Sequence, residues 1–130
     1  MTLIFDTGAL VQYFANNPSA TIQVNRVLRG QEEGLTTHLV LTELYYKTGE
    51  KHGVEAARIR FAAVANSKIK VIAANDSLAM EAAQLKSRNR FLSLSDAYVA
   101  ALTKEYKGTL VTTDVALEKV KGLQTVHVKF

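Results

Sequence analysis

Short apolar runs alternate with amphipathic stretches along nearly the whole chain, and that alternation limits the folds open to it. Leu3-Ile4-Phe5, Ile69-Lys70-Val71-Ile72, Thr109-Leu110-Val111-Thr112 and residues 125–129 read as strands, and Gly34-Leu35-Thr36-Thr37 as a brief strand or extended entry. Between them lie stretches with helical periodicity. Residues 7–15 read as one helix, broken by Asn16-Asn17-Pro18. Ser19 is read as the cap of a second helix, with Ala20, Val24, Val27 and Leu28 at helical spacing up to Gly30. Residues 38–51 form a third helix. Val54, Ala57, Phe61 and Val64 mark a fourth, and Leu78, Ala82 and Leu85 a fifth opened by Asp76-Ser77. Residues 87–94 are polar and basic and read as a loop. Ser95 is taken as the N-cap of a helix over 96–106, and a short helix follows Asp114 to about Lys121. Strands alternating with helices predict an α/β fold, a parallel sheet covered on both faces.

With 130 residues the chain is expected to form a single domain over 1–130. The absence of cysteine excludes disulfides, thiolate catalysis and Cys-ligated zinc. No run approaches the roughly 20 apolar residues of a membrane span, and the N-terminus lacks the pattern of an export signal. A cytoplasmic location without membrane association is therefore expected. The net charge of +4 permits binding to nucleic acid without demonstrating it.

Two strand candidates end on an acid, Ile4-Phe5-Asp6 and Val111-Thr112-Thr113-Asp114. Open parallel sheets bind ligands beyond the carboxyl ends of their strands, where strand order reverses. If these two strands are neighbours, Asp6 and Asp114 converge there. Asp96 opens an almost wholly apolar helix, Ala97-Tyr98-Val99-Ala100-Ala101-Leu102, and so points into a sheltered place. Glu43 stands alone in the run Leu39-Val40-Leu41-Thr42-Glu43-Leu44. A buried carboxylate costs several kcal/mol unless it is paired or holds a metal. Four carboxylates without thiolate or clustered imidazole make an oxygen-only site suited to Mg²⁺ or Mn²⁺, the ions that serve phosphodiester hydrolysis. The hydroxyls of Thr7, Thr112 and Thr113 lie beside two of these acids.

The segments Leu3-Ile4-Phe5-Asp6-Thr7-Gly8-Ala9-Leu10, Leu41-Thr42-Glu43-Leu44, Leu94-Ser95-Asp96-Ala97 and Leu110-Val111-Thr112-Thr113-Asp114 stand in an order and spacing that resemble a PIN-domain protein. In size the chain is similar to the VapC type of toxin–antitoxin ribonuclease. The resemblance implies a central five-stranded parallel sheet flanked by helices, and Mg²⁺- or Mn²⁺-dependent endonucleolytic cleavage of RNA. It further implies a homodimer and a small antitoxin partner. It places Asp6, Glu43, Asp96 and Asp114 on the acidic catalytic and metal-binding positions, and Thr112 on a hydroxyl that often precedes the last acid. Gly8 departs from the pattern, which often has Ser there, and Val115-Ala116-Leu117 lacks a common aromatic.

Each residue also has a plainer reading. Asp6 and Asp114 suit helix N-caps, Asp96 suits a helix dipole, and Glu43 is placed to pair with Lys47 one turn on. Arg88 and Arg90 are candidate phosphate contacts or a solvated basic loop. His38, His52 and His127 show no ligand spacing. Two other functions fit less of the chain. One is a PIN-fold binding module without catalysis. The other is an Mg²⁺-dependent aspartate phosphatase or receiver-like domain, which would want a second Asp where Gly8 stands or a Lys after a late strand.

Overall fold

Leu3, Ile4 and Phe5 are exposed by 1% or less, which a strand achieves when both faces of its sheet are covered. They form the middle of a computed structural model that describes residues 1–130. In chain order the elements are β1 (Thr2–Phe5), α1 (Thr7–Phe14), α2 (Pro18–Leu28), β2 (Glu33–Thr37), α3 (His38–His52) and α4 (Val54–Ala65). There follow β3 (Ile69–Ile72), α5 (Asp76–Arg88), α6 (Leu94–Glu105), β4 (Thr109–Thr112), a 3₁₀ segment (Val115–Lys119) and β5 (Thr125–His127).

The five strands make one sheet in the order β3-β2-β1-β4-β5, with every pairing parallel. This is the five-stranded parallel α/β sheet anticipated from the sequence. The chain steps from β1 outward to β3, then returns across the sheet to β4 and β5. Right-handed crossovers place the helices of the outward path on one face and α5 and α6 on the other. Strand order therefore reverses between β1 and β4, where the carboxyl ends of parallel strands leave a crevice.

Burial follows position in the sheet. All four residues of β4 are buried, whereas edge strand β3 exposes Lys70. In α6, Val99, Ala100, Ala101 and Leu102 are fully buried and pack on β1, β2 and β4. Burial of Val99 and Leu102 contributes roughly 1.5–3 kcal/mol each, and that of each alanine about 0.8 kcal/mol. α3 and α4 are joined through Gly53 alone, whose φ of 91° suits a residue without a side chain. Tyr45 on α3 meets Phe61 on α4 edge to face at 6.1 Å, a packing contact between the two helices. No helix is long and apolar enough to cross a membrane.

Five local expectations are corrected. Asn17, not Ser19, caps α2: its side chain accepts from the Ala20 N–H at 3.1 Å. Pro18 has no N–H to satisfy and so takes the first helical position, which moves the cap back to Asn17. Ser93, not Ser95, caps α6, accepting from the Asp96 N–H at 3.1 Å. Ser95 is a buried residue within the first turn. The polar stretch from 87 is not all loop, because α5 runs through Arg88. Lys86 and Arg88 in its last turn suit the negative end of the helix dipole. The helix after Asp114 is a 3₁₀ turn, and the last strand ends at His127. Beyond it the Val128 N–H still donates to the Thr112 carbonyl at 2.7 Å, and the Asn17 amide ties down the Lys129 carbonyl at 2.8 Å.

Candidate active site

Asp6 is the first residue past β1 and the cap of α1, so one side chain joins a strand end to a helix start. Its backbone N–H donates to the Val111 carbonyl at 3.2 Å, holding it against β4. One carboxylate oxygen, Oδ1, accepts from the Ala9 N–H at 2.8 Å. The other accepts from the Thr112 hydroxyl. The Thr112 oxygen in turn accepts from the Asp114 N–H at 2.9 Å. Thr112 thus links the two acids across the strand-order reversal. Asp114 also caps the 3₁₀ turn, its Oδ1 accepting from the Ala116 N–H at 2.9 Å.

Glu43 comes from α3. Its Oε1 accepts from the Thr7 hydroxyl at 2.6 Å, and Thr7 is the residue after Asp6. The pairing with Lys47 that the i,i+4 spacing allows does not form. The salt bridge in the molecule joins the N-terminal ammonium to Glu32 at 3.1 Å. Asp96 stands half-buried in the first turn of α6, beyond the Ser93 cap.

The acids act on one another in pairs. Burial is the main cause that pushes the Asp6 carboxyl up from 3.8 to about 6. The bonds from Thr112 and the Ala9 N–H pull the other way, and the charges of Asp96 and Asp114 add to the rise. Asp96 is also raised, first by burial, then by Asp114 and Glu43, against a lowering bond from Ser93. Asp6 and Asp96 are each raised by other carboxylates, and no cation pulls either back. The donor set is oxygen alone. No three of the His, Asp and Glu side chains are gathered closely enough to close around one ion.

The remaining candidates make no hydrogen bond to the four acids. Arg88 and Arg90 are exposed, at the end of α5 and in the connection to α6. His38 and His52 are exposed, and His127 contacts the Thr113 carbonyl at 3.1 Å. One neighbour of the cluster, Ser93, was not singled out from sequence. Ser93 was legible in the spacing Ser93-Leu94-Ser95-Asp96, a helix-start pattern of hydroxyl and acid three apart. The packing of Thr113 over Gly8 had no local signal. A Cβ on Gly8 would lie 2.0 Å from the Thr113 Oγ1, so the departure at Gly8 accompanies a side chain reaching in from the opposite strand end.

Comparison with known proteins follows the same lines. The chain has the fold of VapBC2 from Rickettsia felis, solved bound to a DNA fragment from its promoter, with a TM-score of 0.82, 14% identity, and 99% of this chain and 100% of that one covered. VapBC-1 from nontypeable Haemophilus influenzae gives a TM-score of 0.75 at 15% identity over 98% of both chains. VapC20 from Mycobacterium tuberculosis, a Sarcin-Ricin loop cleaving toxin, gives 0.72 at 17% identity over 91% of this chain and 95% of that one. No curated protein sequence matches. A family model for the PIN domain matches residues 3–123, and the chain therefore belongs to the PIN domain family.

Proposed function

We propose that this chain is a Mg²⁺- or Mn²⁺-dependent endoribonuclease and the toxin of a VapBC-type toxin–antitoxin pair. The observation that carries the reading is the link of Asp6 to Asp114 through Thr112 past the ends of β1 and β4, with Asp96 adding to the raised proton affinity of Asp6 and Glu43 to that of Asp96. Family membership supports the nuclease class. Solved toxins and toxin–antitoxin complexes of the same fold support the biological role.

A hard divalent cation fits this donor set. The oxygens are carboxylate and hydroxyl, and the mutual repulsion of the acids is what a cation relieves. The acids are too spread for three of them to enclose one ion. That suits Mg²⁺, which is commonly held by one or two carboxylates and completes its shell with water and substrate phosphate. One or two of Asp6, Asp96, Asp114 and Glu43 would hold it directly, and the others would hold it through water. When bound, such an ion activates water and stabilises charge on the phosphoryl oxygens.

The protein's own residues hold the acids in place. Thr112 and the Ala9 N–H fix both oxygens of Asp6, and the Ala116 N–H fixes one oxygen of Asp114. Thr7 holds Glu43, and the Ser93 cap sets the first turn that carries Asp96. In the hydrolysis a water oxygen bonds to phosphorus in line with the departing 3′ oxygen. The P–O3′ bond breaks and the 3′ oxygen takes up a proton, leaving 3′-hydroxyl and 5′-phosphate ends. A small antitoxin protein and a second copy of the chain are the proposed partners, and light scattering of the isolated chain should return twice the monomer mass.

The test is incubation with single-stranded, hairpin and transfer RNAs in Mg²⁺, Mn²⁺ or EDTA, with Asp96→Asn in parallel. Cutting that requires metal and disappears in the variant is the expected result. An Asp96→Asn protein that cuts at the parent rate overturns the site assignment.

A further inference from the structure

Between α1, α3 and the side of α4 lies a cleft of about 470 Å³ whose polar lining includes Gln12, Lys47, Thr48, Lys51, His52 and Arg60. No carboxylate lines it. It starts beside the acidic cluster, because Thr7 at the head of α1 is bonded to Glu43 on α3. Lys47 stands one helical turn beyond Glu43 and Lys51 a second, at ~5.4 Å per turn. Neither lysine is in a salt bridge. The Arg60 guanidinium lies 5.4 Å from the centre of the Phe14 ring, which steadies it at the wall of the cleft.

Thr48 supplies an independent observation. It is 2% exposed and its hydroxyl has no hydrogen-bond partner. Helical threonines usually bond back to the carbonyl four residues earlier. In this chain Thr42 does so to His38 at 2.9 Å and Thr103 to Val99 at 2.7 Å. Leaving a buried hydroxyl unpaired costs about 1–3 kcal/mol, and this one lies among cations at the edge of a cleft.

We propose that this cleft receives backbone phosphates of the RNA strand flanking the scissile bond, with Lys47 and Lys51 as the charge contacts. The inference rests on the nuclease reading above. A strand whose scissile phosphate sits among the acids carries a further negative charge at every nucleotide as it leaves, and the cationic cleft opens one turn away.

The test is binding of a labelled, mixed-sequence single-stranded RNA to the full chain in EDTA, which separates affinity from cleavage, across roughly 50–200 mM salt. Lys47→Ala with Lys51→Ala should weaken binding on the order of tenfold and lower the log–log salt slope by about 1.4, or about 0.7 per lost contact. Unchanged affinity and slope in the lysine variant, with a parent chain that cuts RNA, overturns the cleft and leaves the nuclease standing. A parent chain that binds and cuts no RNA overturns both. Loss of polyglutamate binding with RNA binding intact assigns the cleft to an acidic protein segment and overturns the proposal.

Discussion

The side chain of Thr113 occupies the space that a side chain on Gly8 would need, its Oγ1 falling 2.0 Å from an ideal Cβ there. The two residues belong to the first turn of α1 and to the segment after β4, so they meet across the site. Gly8→Ser should therefore destabilise by about 1–3 kcal/mol through overpacking. Thr113→Ala opens the space, so the double variant should recover much of that loss. Urea unfolding of the four proteins measures the coupling, expected at about 0.5–3 kcal/mol. Simple additivity would mean that the contact is relieved elsewhere.

Asp6 makes a pH prediction for the metal-free chain. Its folded carboxyl titrates near 6 against an ordinary 3.8, so the native state holds more protons than the unfolded state between those values. Stability from this group is then greatest below about pH 4, falls as pH rises toward 6, and is level above. The rise corresponds to about 3 kcal/mol. Asp6→Asn should abolish that part of the slope and unfold at higher urea than the parent at pH 7. Mg²⁺ added at pH 7 should stabilise the parent more than the variant. A parent whose stability is no more pH-dependent than the variant's between pH 4 and 7 contradicts the burial-driven shift.

Ser93 and Ser95 separate two roles that their spacing confuses. Ser93→Ala removes the cap on the Asp96 N–H and should cost about 1 kcal/mol. Ser95→Ala leaves that cap intact and should cost less. Ser93→Ala also removes an interaction that lowers the proton affinity of Asp96, so its cleavage profile should move to higher pH. Thermal unfolding with pH–rate profiles of both variants gives the comparison.

The strands were legible because parallel strands buried on both faces appear as bare apolar runs, as in Leu3-Ile4-Phe5 and Leu110-Val111. Asp6 and Asp114 stood out for the same reason, each being a charge placed where such a run stops. Their capping and clustering proved compatible, since a helix cap uses one carboxylate oxygen and leaves the group at the strand end. Details that depend on a choice among neighbouring residues were less legible. Asn17 and Ser19 both suit a cap, and Pro18 decides between them. Ser93 and Ser95 differ only in which reaches the Asp96 N–H. Contacts between distant segments left no local trace. The Thr7 bond to Glu43 and the Thr113 packing on Gly8 are products of the sheet, which lays β4 beside β1 and α3 beside α1.

Thr112 gives the sharpest test of how the site is held. Its hydroxyl donates to Asp6 and accepts from the Asp114 N–H, so a single oxygen sets the relation of two acids carried by different strands. Thr112→Val keeps the shape and removes both bonds, leaving a buried acceptor and an N–H without their partner. The expected loss is about 1–3 kcal/mol in stability and roughly 10–100-fold in metal-dependent cleavage. Thr112→Ser retains the hydroxyl and should restore most of the activity. The variant should also need more Mg²⁺ for half-maximal rate, because its acids are no longer held together. A Thr112→Val protein that loses stability but keeps the parent's rate and metal requirement would confine Thr112 to folding and separate the Asp6–Asp114 link from the chemistry.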